Sequence, residues 1–330
     1  RWQHVKMPAV VAWEVARECN LACRFCKAEA GGLGGNKRSS RELTTNEACT
    51  FVDELSTFNP LLILTGGEPL LRKDINIVIE HAATSGLRTA LATNGTLVNE
   101  KTATRLRDAG LTTASISIDG ADAQSHDSLR GVSGAYHDAL NGAKALKEAG
   151  VTFQINTTVT NANVTSLPRI YEVVRESGAS AWHVFALVPT GRGCVTDLVS
   201  KSDYYRTLKW LDERDRNEAL PIRPTCTPQY RLEEGRKGCL AGLSYVFVTS
   251  SGTVQPCGYL PVPAGDIKRT SFSEIWETSP LLASLRDPSA FTGACKTCRY
   301  SDTCRGCRAR AQAMSGDYLG DDPYCGGVWT

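Results

Sequence analysis

Three of the thirteen cysteines stand close together in the chain, in the spacing C-x3-C-x2-C formed by Cys19, Cys23 and Cys26. Three thiolates on one loop can hold a four-iron cluster while one iron keeps no protein ligand, whereas ordinary electron-transfer clusters use four cysteines. An open metal position is where a substrate or cofactor binds, as in catalytic zinc sites. The alternatives are buried thiols or a partial zinc site, although zinc sites usually show paired C-x2-C elements. The triplet therefore predicts a catalytic iron–sulfur centre.

A second group of cysteines lies towards the C-terminus. Its members are Cys226, Cys239, Cys257, Cys295, Cys298, Cys304, Cys307 and Cys325. The long chain shows no export signal and the odd total leaves one thiol unpaired, so metal-bound thiolates explain the number better than disulfides do. A zinc site over residues 295–307 is the competing interpretation, but that loop is short for paired zinc knuckles.

The overall charge and hydropathy exclude several classes of function. The net charge is +2, with basic and acidic residues interspersed, which gives no electrostatic case for nucleic-acid binding. No apolar run approaches the length of a membrane span, and the N-terminus lacks the layout of a signal peptide. We therefore expect a cytoplasmic protein with neither nucleic-acid nor membrane partners.

These cysteines must be positioned by regular secondary structure, and the sequence predicts such structure between residue 10 and about residue 190. Short β-branched runs alternate there with apolar residues at helical spacing. The predicted strands are 10–16, 61–65, 88–93, 112–118, 152–159 and 181–188. This alternation indicates an α/β fold with a parallel sheet, and six repeats predict a partial, TIM-like (β/α)6 barrel with function at the C-terminal strand edges.

The predicted domain organisation has three parts. Residues 1–191 form the partial barrel, and residues 192–225 form a helical connector. Residues 226–330 form a cysteine-rich domain, with a hairpin turning at Ser251-Gly252. Periodic apolar residues are few in that last part, so metal must supply some of its stability.

One motif without cysteine stands directly after the second strand, Gly66-Gly67-Glu68-Pro69. Glycines let a ligand approach the backbone closely, and main-chain groups can bind the polar end of an amino acid. An ordinary strand-to-helix turn is the alternative. Its place one βα unit after the cysteine triplet favours a ligand-binding role.

Together these motifs resemble the radical S-adenosylmethionine (SAM) superfamily. The resemblance implies that the SAM amino and carboxylate groups chelate the unique iron of a 4Fe–4S cluster and that one electron cleaves the sulfonium to a 5′-deoxyadenosyl radical. The matching motifs imply that the methionine amino group is held by Gly66, Gly67 and Glu68. They also imply that the methionine carboxylate is contacted by Ser117 and Arg130. Asn94 lies near the ribose, and residues 188–190, with Pro189 at their centre, lie near the adenine.

The C-terminal cysteines resemble a SPASM domain, the radical SAM extension that holds auxiliary clusters. The resemblance implies one or two auxiliary 4Fe–4S clusters. By analogy, one takes Cys226, Cys239, Cys257 and Cys307, and the other takes Cys295, Cys298, Cys304 and Cys325. The family has three residues before the last cysteine of the middle group, but here Arg305-Gly306 gives two, which puts the role of Cys307 in doubt. Cys49 is then a small buried hydrophobe, Cys194 has an open role, and His183 is a core histidine.

Further segments, among them Gly191-Arg192-Gly193 and Asp322-Pro323-Tyr324-Cys325, resemble the tetrapyrrole-modifying branch and within it the haem synthases. The resemblance implies oxidative decarboxylation of two propionates of iron-coproporphyrin III to vinyl groups, with a low-potential electron donor protein as partner. Arg192 is the predicted cation for a substrate propionate. The segment between residues 228 and 238 is shorter than is usual in the family. Didecarboxysiroheme deacetylation and peptide modification are therefore the alternative activities.

Overall fold

The computed structural model describes residues 6–30 and 42–325. The strands are β1 (Val10–Ala16), β2 (Leu61–Gly66), β3 (Arg88–Thr93), β4 (Thr113–Ser117), β5 (Phe153–Val159), β6 (Trp182–Ala186), β7 (Ile222–Thr225), β8 (Tyr245–Val248), β9 (Thr253–Gln255) and β10 (Gly265–Asp266). The helices are α1 (Thr45–Ser56), α2 (Ile75–Thr84), α3 (Glu100–Asp108), α4 (Ala123–Arg130), α5 (Ala135–Glu148), α6 (Leu167–Ser177), α7 (Lys201–Asn217), α8 (Phe272–Thr278), α9 (Pro280–Arg286), α10 (Gly293–Thr297) and α11 (Arg308–Ser315). Short 3-10 helices cover Pro69–Leu71, Val164–Ser166, Val195–Asp197, Leu232–Glu234 and Pro288–Ala290.

All the strands belong to one sheet in the order β10-β9-β8-β1-β2-β3-β4-β5-β6-β7. Neighbours from β8 through β1 to β7 are parallel, while β8-β9 and β9-β10 are antiparallel. The six predicted strands are therefore present in sequential order. The prediction of an α/β fold with a parallel sheet is confirmed.

The sheet extends beyond the six predicted strands at both sides. Residues 192–225 contain, besides α7, the unpredicted strand β7, in which Ile222 lies opposite Trp182 of β6. On the other side β8 pairs with β1, so Val10 lies between Leu61 and Tyr245. The cysteine-rich part thus contributes a strand to the barrel sheet rather than forming a separate sheet.

The helices cover the sheet because each buries an apolar stripe against it. In α1 the buried face includes Phe51 and Val52, and the Phe51 ring meets the fully buried Trp13 ring of β1 edge-on at 5.8 Å. The helix begins at a capping box in which the Glu47 backbone N–H donates to the Thr44 hydroxyl at 3.3 Å and the Thr44 N–H donates to the Glu47 carboxylate at 2.7 Å.

The C-terminal part has short elements and packs directly on the barrel. The predicted hairpin forms as β8 and β9, and its turn uses Gly252 at φ +97°, a conformation that glycine adopts without strain. The indole N–H of Trp276 in α8 donates to the Lys6 carbonyl at 3.1 Å. None of the described helices is long and apolar enough to cross a bilayer.

Candidate active site and cluster-binding cysteines

The loop after β1 places the three predicted ligands on one turn, with Cys23 buried and Cys19 and Cys26 half-buried. The Leu21 N–H lies 3.4 Å from the Cys19 sulfur, and the Arg130 Nη1 lies 3.5 Å from the Cys23 sulfur. Burial raises the pKa of Cys19 to about 11. A metal that bound this thiolate would therefore displace a proton.

This loop is braced from the C-terminal end of α4. The Ala22 N–H donates to the Arg130 carbonyl at 3.1 Å, and the Arg24 N–H donates to the Leu129 carbonyl at 2.9 Å. Three thiols with N–H and guanidinium donors around them suit an anionic cluster, because hydrogen bonds to the sulfurs are among the factors that set cluster potentials. The residues present therefore fit an iron–sulfur cluster.

The two glycines after β2 lie against the cysteine loop. A Cβ on Gly66 would stand 2.4 Å from the Ala16 carbonyl oxygen, and one on Gly67 would stand 2.3 Å from the Glu18 carbonyl oxygen. The Gly67 N–H donates to Ala16 at 2.8 Å, and the Glu68 N–H donates to Glu18 at 2.7 Å. These glycines are thus required for the close approach of the β1 and β2 loops.

Glu68 faces inward from this motif and its side chain is fully buried. It accepts hydrogen bonds from the Thr93 hydroxyl at 2.7 Å, the Asn94 N–H at 2.8 Å and the Leu70 N–H at 3.1 Å. Burial raises the pKa of this carboxyl to about 7, against the lowering effect of those donors. The carboxylate therefore holds the loop after β3.

Asn94 in turn holds the cysteine loop. Its amide donates to Asn20 Oδ1 at 2.9 Å and lies 3.9 Å from the Cys19 sulfur, and its own Oδ1 accepts from the Thr96 hydroxyl at 2.7 Å. The Asn20 amide closes the ring by donating to the same Thr96 hydroxyl at 2.7 Å. Sequence reasoning missed Asn20 and Thr96, although Asn20 lies inside the cysteine triplet.

Arg130 and Ser117 stand at the neighbouring strand end. The buried Arg130 forms an ion pair with the fully buried Asp119, whose backbone N–H donates to His126 Nδ1 at 3.1 Å. Burial and the Arg130 charge lower the pKa of His126 to about 4, so this imidazole is a neutral acceptor. Ser117 is half-buried, and its hydroxyl makes no hydrogen bond with another residue in the described ranges.

The loop after β6 contacts both cysteine regions. The Arg192 N–H donates to the Cys26 carbonyl at 3.0 Å, and its Nε donates to the Cys23 carbonyl at 2.9 Å. Arg192 Nη2 is buried and has no hydrogen-bond partner among the described residues. Half-buried Pro189 precedes Thr190, whose hydroxyl donates to the Tyr259 carbonyl at 3.1 Å.

The structure brings the first predicted auxiliary set together beside this loop. The Cys226 and Cys307 thiols are hydrogen-bonded to each other, which lowers the pKa of Cys307 and, with burial, raises that of Cys226. Cys239 and Cys257 lie close enough to interact electrostatically with this pair, and burial raises the pKa of Cys257 to about 12. The unusual spacing before Cys307 therefore does not keep it away from the other three.

The second predicted set lines a single cavity. Cys295, Cys298, Cys304 and Cys325 all face it, together with Gln229 and Tyr300. No three His, Cys, Asp or Glu side chains within residues 6–30 and 42–325 are grouped as a single metal ion requires. Each cysteine of a 4Fe–4S cluster binds a different iron, so a cluster needs more widely spaced sulfurs than one ion does.

Comparison with protein families matches residues 13–174 to the radical SAM superfamily and residues 239–308 to SPASM, an iron–sulfur cluster-binding domain. The AdoMet-dependent heme synthase of Methanosarcina barkeri is 43% identical over 96% of each chain. That of Nitratidesulfovibrio vulgaris is 40% identical over 96% of this chain and 91% of its own. The chain belongs to the radical SAM superfamily.

A solved structure shares the fold. The crystal structure of Streptococcus suis SuiB bound to S-adenosylmethionine superposes with a TM-score of 0.80 at 18% identity, covering 97% of this chain and 77% of that one. As a radical SAM enzyme with a SPASM domain, this chain uses a 4Fe–4S cluster with SAM and auxiliary iron–sulfur clusters. The assignment of individual ligands to these groups stays a prediction.

A buried ion pair joins the two auxiliary cysteine sets of this radical SAM enzyme. Arg310 binds Asp322 through two nitrogens, each 2.8 Å from an oxygen, and neither side chain is exposed. Asp322 also accepts from the Cys307 N–H at 2.8 Å, and Arg310 donates to the Cys226 carbonyl at 3.2 Å. The Cys325 N–H donates to the Asp322 carbonyl at 2.7 Å. Local sequence patterns do not reveal this ion pair, although Asp322 lies in the Asp322-Pro323-Tyr324-Cys325 segment that resembles the tetrapyrrole-modifying branch.

The sequence also provided no reason to single out Lys27 as a site residue, although it directly follows Cys26. Its ammonium lies 4.4 Å from the centre of the Phe247 ring and 5.0 Å from that of Tyr259. Burial lowers the pKa of Lys27, while the nearby Cys257 and Glu14 oppose that shift.

The remaining predicted residues lie outside these clusters. Cys49 is half-buried in α1, and the exposed Cys194 has its sulfur 3.5 Å from the Arg192 carbonyl oxygen. His183 is half-buried on β6, and burial with the charges of Arg223 and Arg236 lowers its pKa to about 4. All thirteen cysteines lie in the described ranges, and none forms a disulfide.

Proposed function

We propose that this enzyme is a haem synthase that oxidatively decarboxylates two propionates of iron-coproporphyrin III to vinyl groups, forming haem b. The observation that carries the proposal is the 43% identity, over 96% of both chains, to a relative named AdoMet-dependent heme synthase. Identity falls to 29% for a relative named Fe-coproporphyrin III synthase and to 30% for one named Pre-heme d1 synthase. Each of these names refers to a tetrapyrrole product, and the identity of 40–43% to the two heme synthases favours haem formation.

The reaction requires a hydrogen acceptor and an electron acceptor. A SAM-loaded cluster held by Cys19, Cys23 and Cys26 would supply a 5′-deoxyadenosyl radical able to take a hydrogen atom from the propionate β-carbon, and an auxiliary cluster would supply an electron acceptor. The bond between the α-carbon and the carboxylate then breaks, carbon dioxide leaves, and the vinyl double bond forms. One electron is released per propionate, because a carboxylate anion becomes neutral carbon dioxide.

The residues of the chain position these participants. The backbone of residues 66–68 is the proposed contact of the methionine amino group, with the free Ser117 hydroxyl and the Arg130 guanidinium for its carboxylate. Asn94 holds the cysteine loop and lies beside the proposed ribose position, and Pro189 lies beside that of the adenine. Arg192 has one nitrogen without a partner, which suits a substrate propionate. A low-potential electron donor protein and a cytoplasmic location, where thiols stay reduced, complete the proposal.

The test is anaerobic incubation of the reconstituted enzyme with SAM, a reductant and each porphyrinoid separately, with products identified by mass spectrometry. Iron-coproporphyrin III is expected to lose two carboxyl groups in sequence, through a monovinyl intermediate. Turnover of didecarboxysiroheme alone, or of a peptide alone, would replace the proposal with one of the alternative activities.

A further inference from the structure

Lys27 lies at a junction of three loops. The first is the cysteine loop that ends at Lys27, the second is the loop after β6, and the third contains Cys257 and Tyr259. The Thr190 hydroxyl connects the second loop to the third at 3.1 Å, and the Arg192 N–H connects the second to the first at 3.0 Å. The Lys27 ammonium connects the first to the third by lying over the Tyr259 ring.

The junction joins loops that carry cysteines of two different groups. On one side are the three cysteines after β1, and on the other are Cys226 and Cys257 of the first auxiliary set. Lys27 directly follows Cys26, and its ammonium lies 5.0 Å from the centre of the ring of Tyr259, which stands two residues after Cys257. A substrate that gives a hydrogen atom on one side and an electron on the other belongs at this position.

The Lys27 ammonium has no anionic partner in the described part of the chain. No carboxylate there lies within ion-pair distance of Nζ, and no cysteine sulfur lies within hydrogen-bond distance. The nearby Glu14 carboxylate is engaged with the Ser250 N–H at 3.1 Å and with Arg17 at 3.8 Å. Lys27 is half-buried, and the aromatic faces offer only part of the compensation that a partly buried cation needs.

We infer that Lys27 binds a carboxylate of the substrate, and specifically a propionate that the reaction retains; this rests on the proposed function. A cation fixed on a carboxylate stabilises the charged form against neutral carbon dioxide, so it would slow the loss of that carboxylate. Lys27 therefore orients the porphyrin by a propionate that survives in the product. Arg192, on the neighbouring loop, is a separate contact and is not needed for this argument.

The test measures binding without turnover. Reconstituted enzyme with SAM but no reductant is titrated anaerobically with iron-coproporphyrin III, and in parallel with its tetramethyl ester, which has no free carboxylate. Lys27→Met is expected to raise the Kd of the acid about ten- to hundredfold, the factor for losing one charge-assisted hydrogen bond. The Kd of the ester should change little, and Lys27→Arg should recover most of the affinity for the acid.

Two further variants keep the result interpretable. Lys144→Met removes the same charge from the exposed face of α5, where Lys144 is 72% exposed, and should leave both affinities unchanged. Gly258→Ala keeps the Lys27 charge but places a Cβ 2.4 Å from Nζ, so it should weaken binding of the acid by displacing the ammonium. If Lys27→Met loses its iron or fails to fold, Gly258→Ala provides the test of the carboxylate contact in its place.

The outcomes separate this inference from the proposed function. Unchanged affinity of Lys27→Met for the acid, or an equal loss for acid and ester, would overturn the carboxylate contact while leaving the function standing. A wild-type enzyme that neither binds nor converts iron-coproporphyrin III would overturn the proposed function itself. A selective loss for the acid in Lys27→Met or Gly258→Ala supports the inference.

Discussion

Glu68 is a carboxyl whose protonation changes near neutral pH because it has no access to water. Its pKa rises from 4.5 to about 7 on burial. Between these values the folded protein holds a proton that the unfolded chain releases, so stability present at low pH is lost as pH rises through this interval. The loss is roughly 3 kcal/mol for a shift of this size.

Glu68→Gln removes that titration, which gives the first prediction. The free energy of unfolding of the wild type, relative to the variant, should fall between pH 5 and pH 8 by roughly 3 kcal/mol. Anaerobic denaturant unfolding of the reconstituted protein at several pH values measures the difference. A constant difference across this range would mean that Glu68 keeps its ordinary pKa.

The three cysteines after β1 allow a second prediction at the scale of residues. The variant with Cys19, Cys23 and Cys26 all replaced by alanine should form no 5′-deoxyadenosine after anaerobic reconstitution, because thiolates are the cluster ligands. Cys49→Ala is the matched control, since Cys49 lies in α1 away from this loop. SAM cleavage by the triple variant at the wild-type rate would contradict the assignment of the three ligands.

Individual elements show which parts of the fold can be predicted from the chain. The strands from β1 to β6 are recognisable because each is a β-branched run between helical segments. In contrast, β7 is a short edge strand that contains Pro224, and β8 pairs with a strand far away in sequence. Local patterns do not contain such pairings, and for the same reason they could not show that Glu68 faces inward or that Lys27 lies over Tyr259.

The same limit applies to α11, whose Arg310 looks like an ordinary helix-surface charge in the sequence. Within the fold it is fully buried against Asp322. Removing one partner of a buried ion pair leaves the other charge uncompensated, so Arg310→Met should cost about 3–5 kcal/mol of stability. Arg206→Met is the control, because Arg206 is 76% exposed in its pair with Asp203. Anaerobic denaturant unfolding measures both, and equal midpoints would show that the buried pair does not hold the cysteine loops.

At the scale of the whole molecule, two auxiliary cysteine sets in addition to the first predict an iron content. Three four-iron clusters require about twelve irons per chain. Iron analysis of the reconstituted protein gives the count, and about four irons with stoichiometric zinc would refute two auxiliary clusters. Replacing Cys295 should lower iron content and soluble yield together, because the cluster supports a region with few periodic apolar segments.

A folded Cys295→Ala variant tests the redox role separately from the structural one. Its 5′-deoxyadenosine formation should persist while product formation falls much further, since an electron taken up by the first auxiliary set then has no second cluster to pass to. Cys194→Ala is the control, because its exposed thiol lies outside both sets. Parallel loss of both products would indicate that this set acts only through folding.

The ribosome makes β1 long before β8, which is one of its two neighbours in the sheet. Until β8 arrives, one edge of β1 exposes unpaired backbone groups that can pair with another nascent chain. The contact between Trp276 and Lys6 spans 270 positions and cannot form until Trp276 has been made. A chain that stops before residue 245 should therefore be recovered as aggregate rather than as a smaller, soluble barrel.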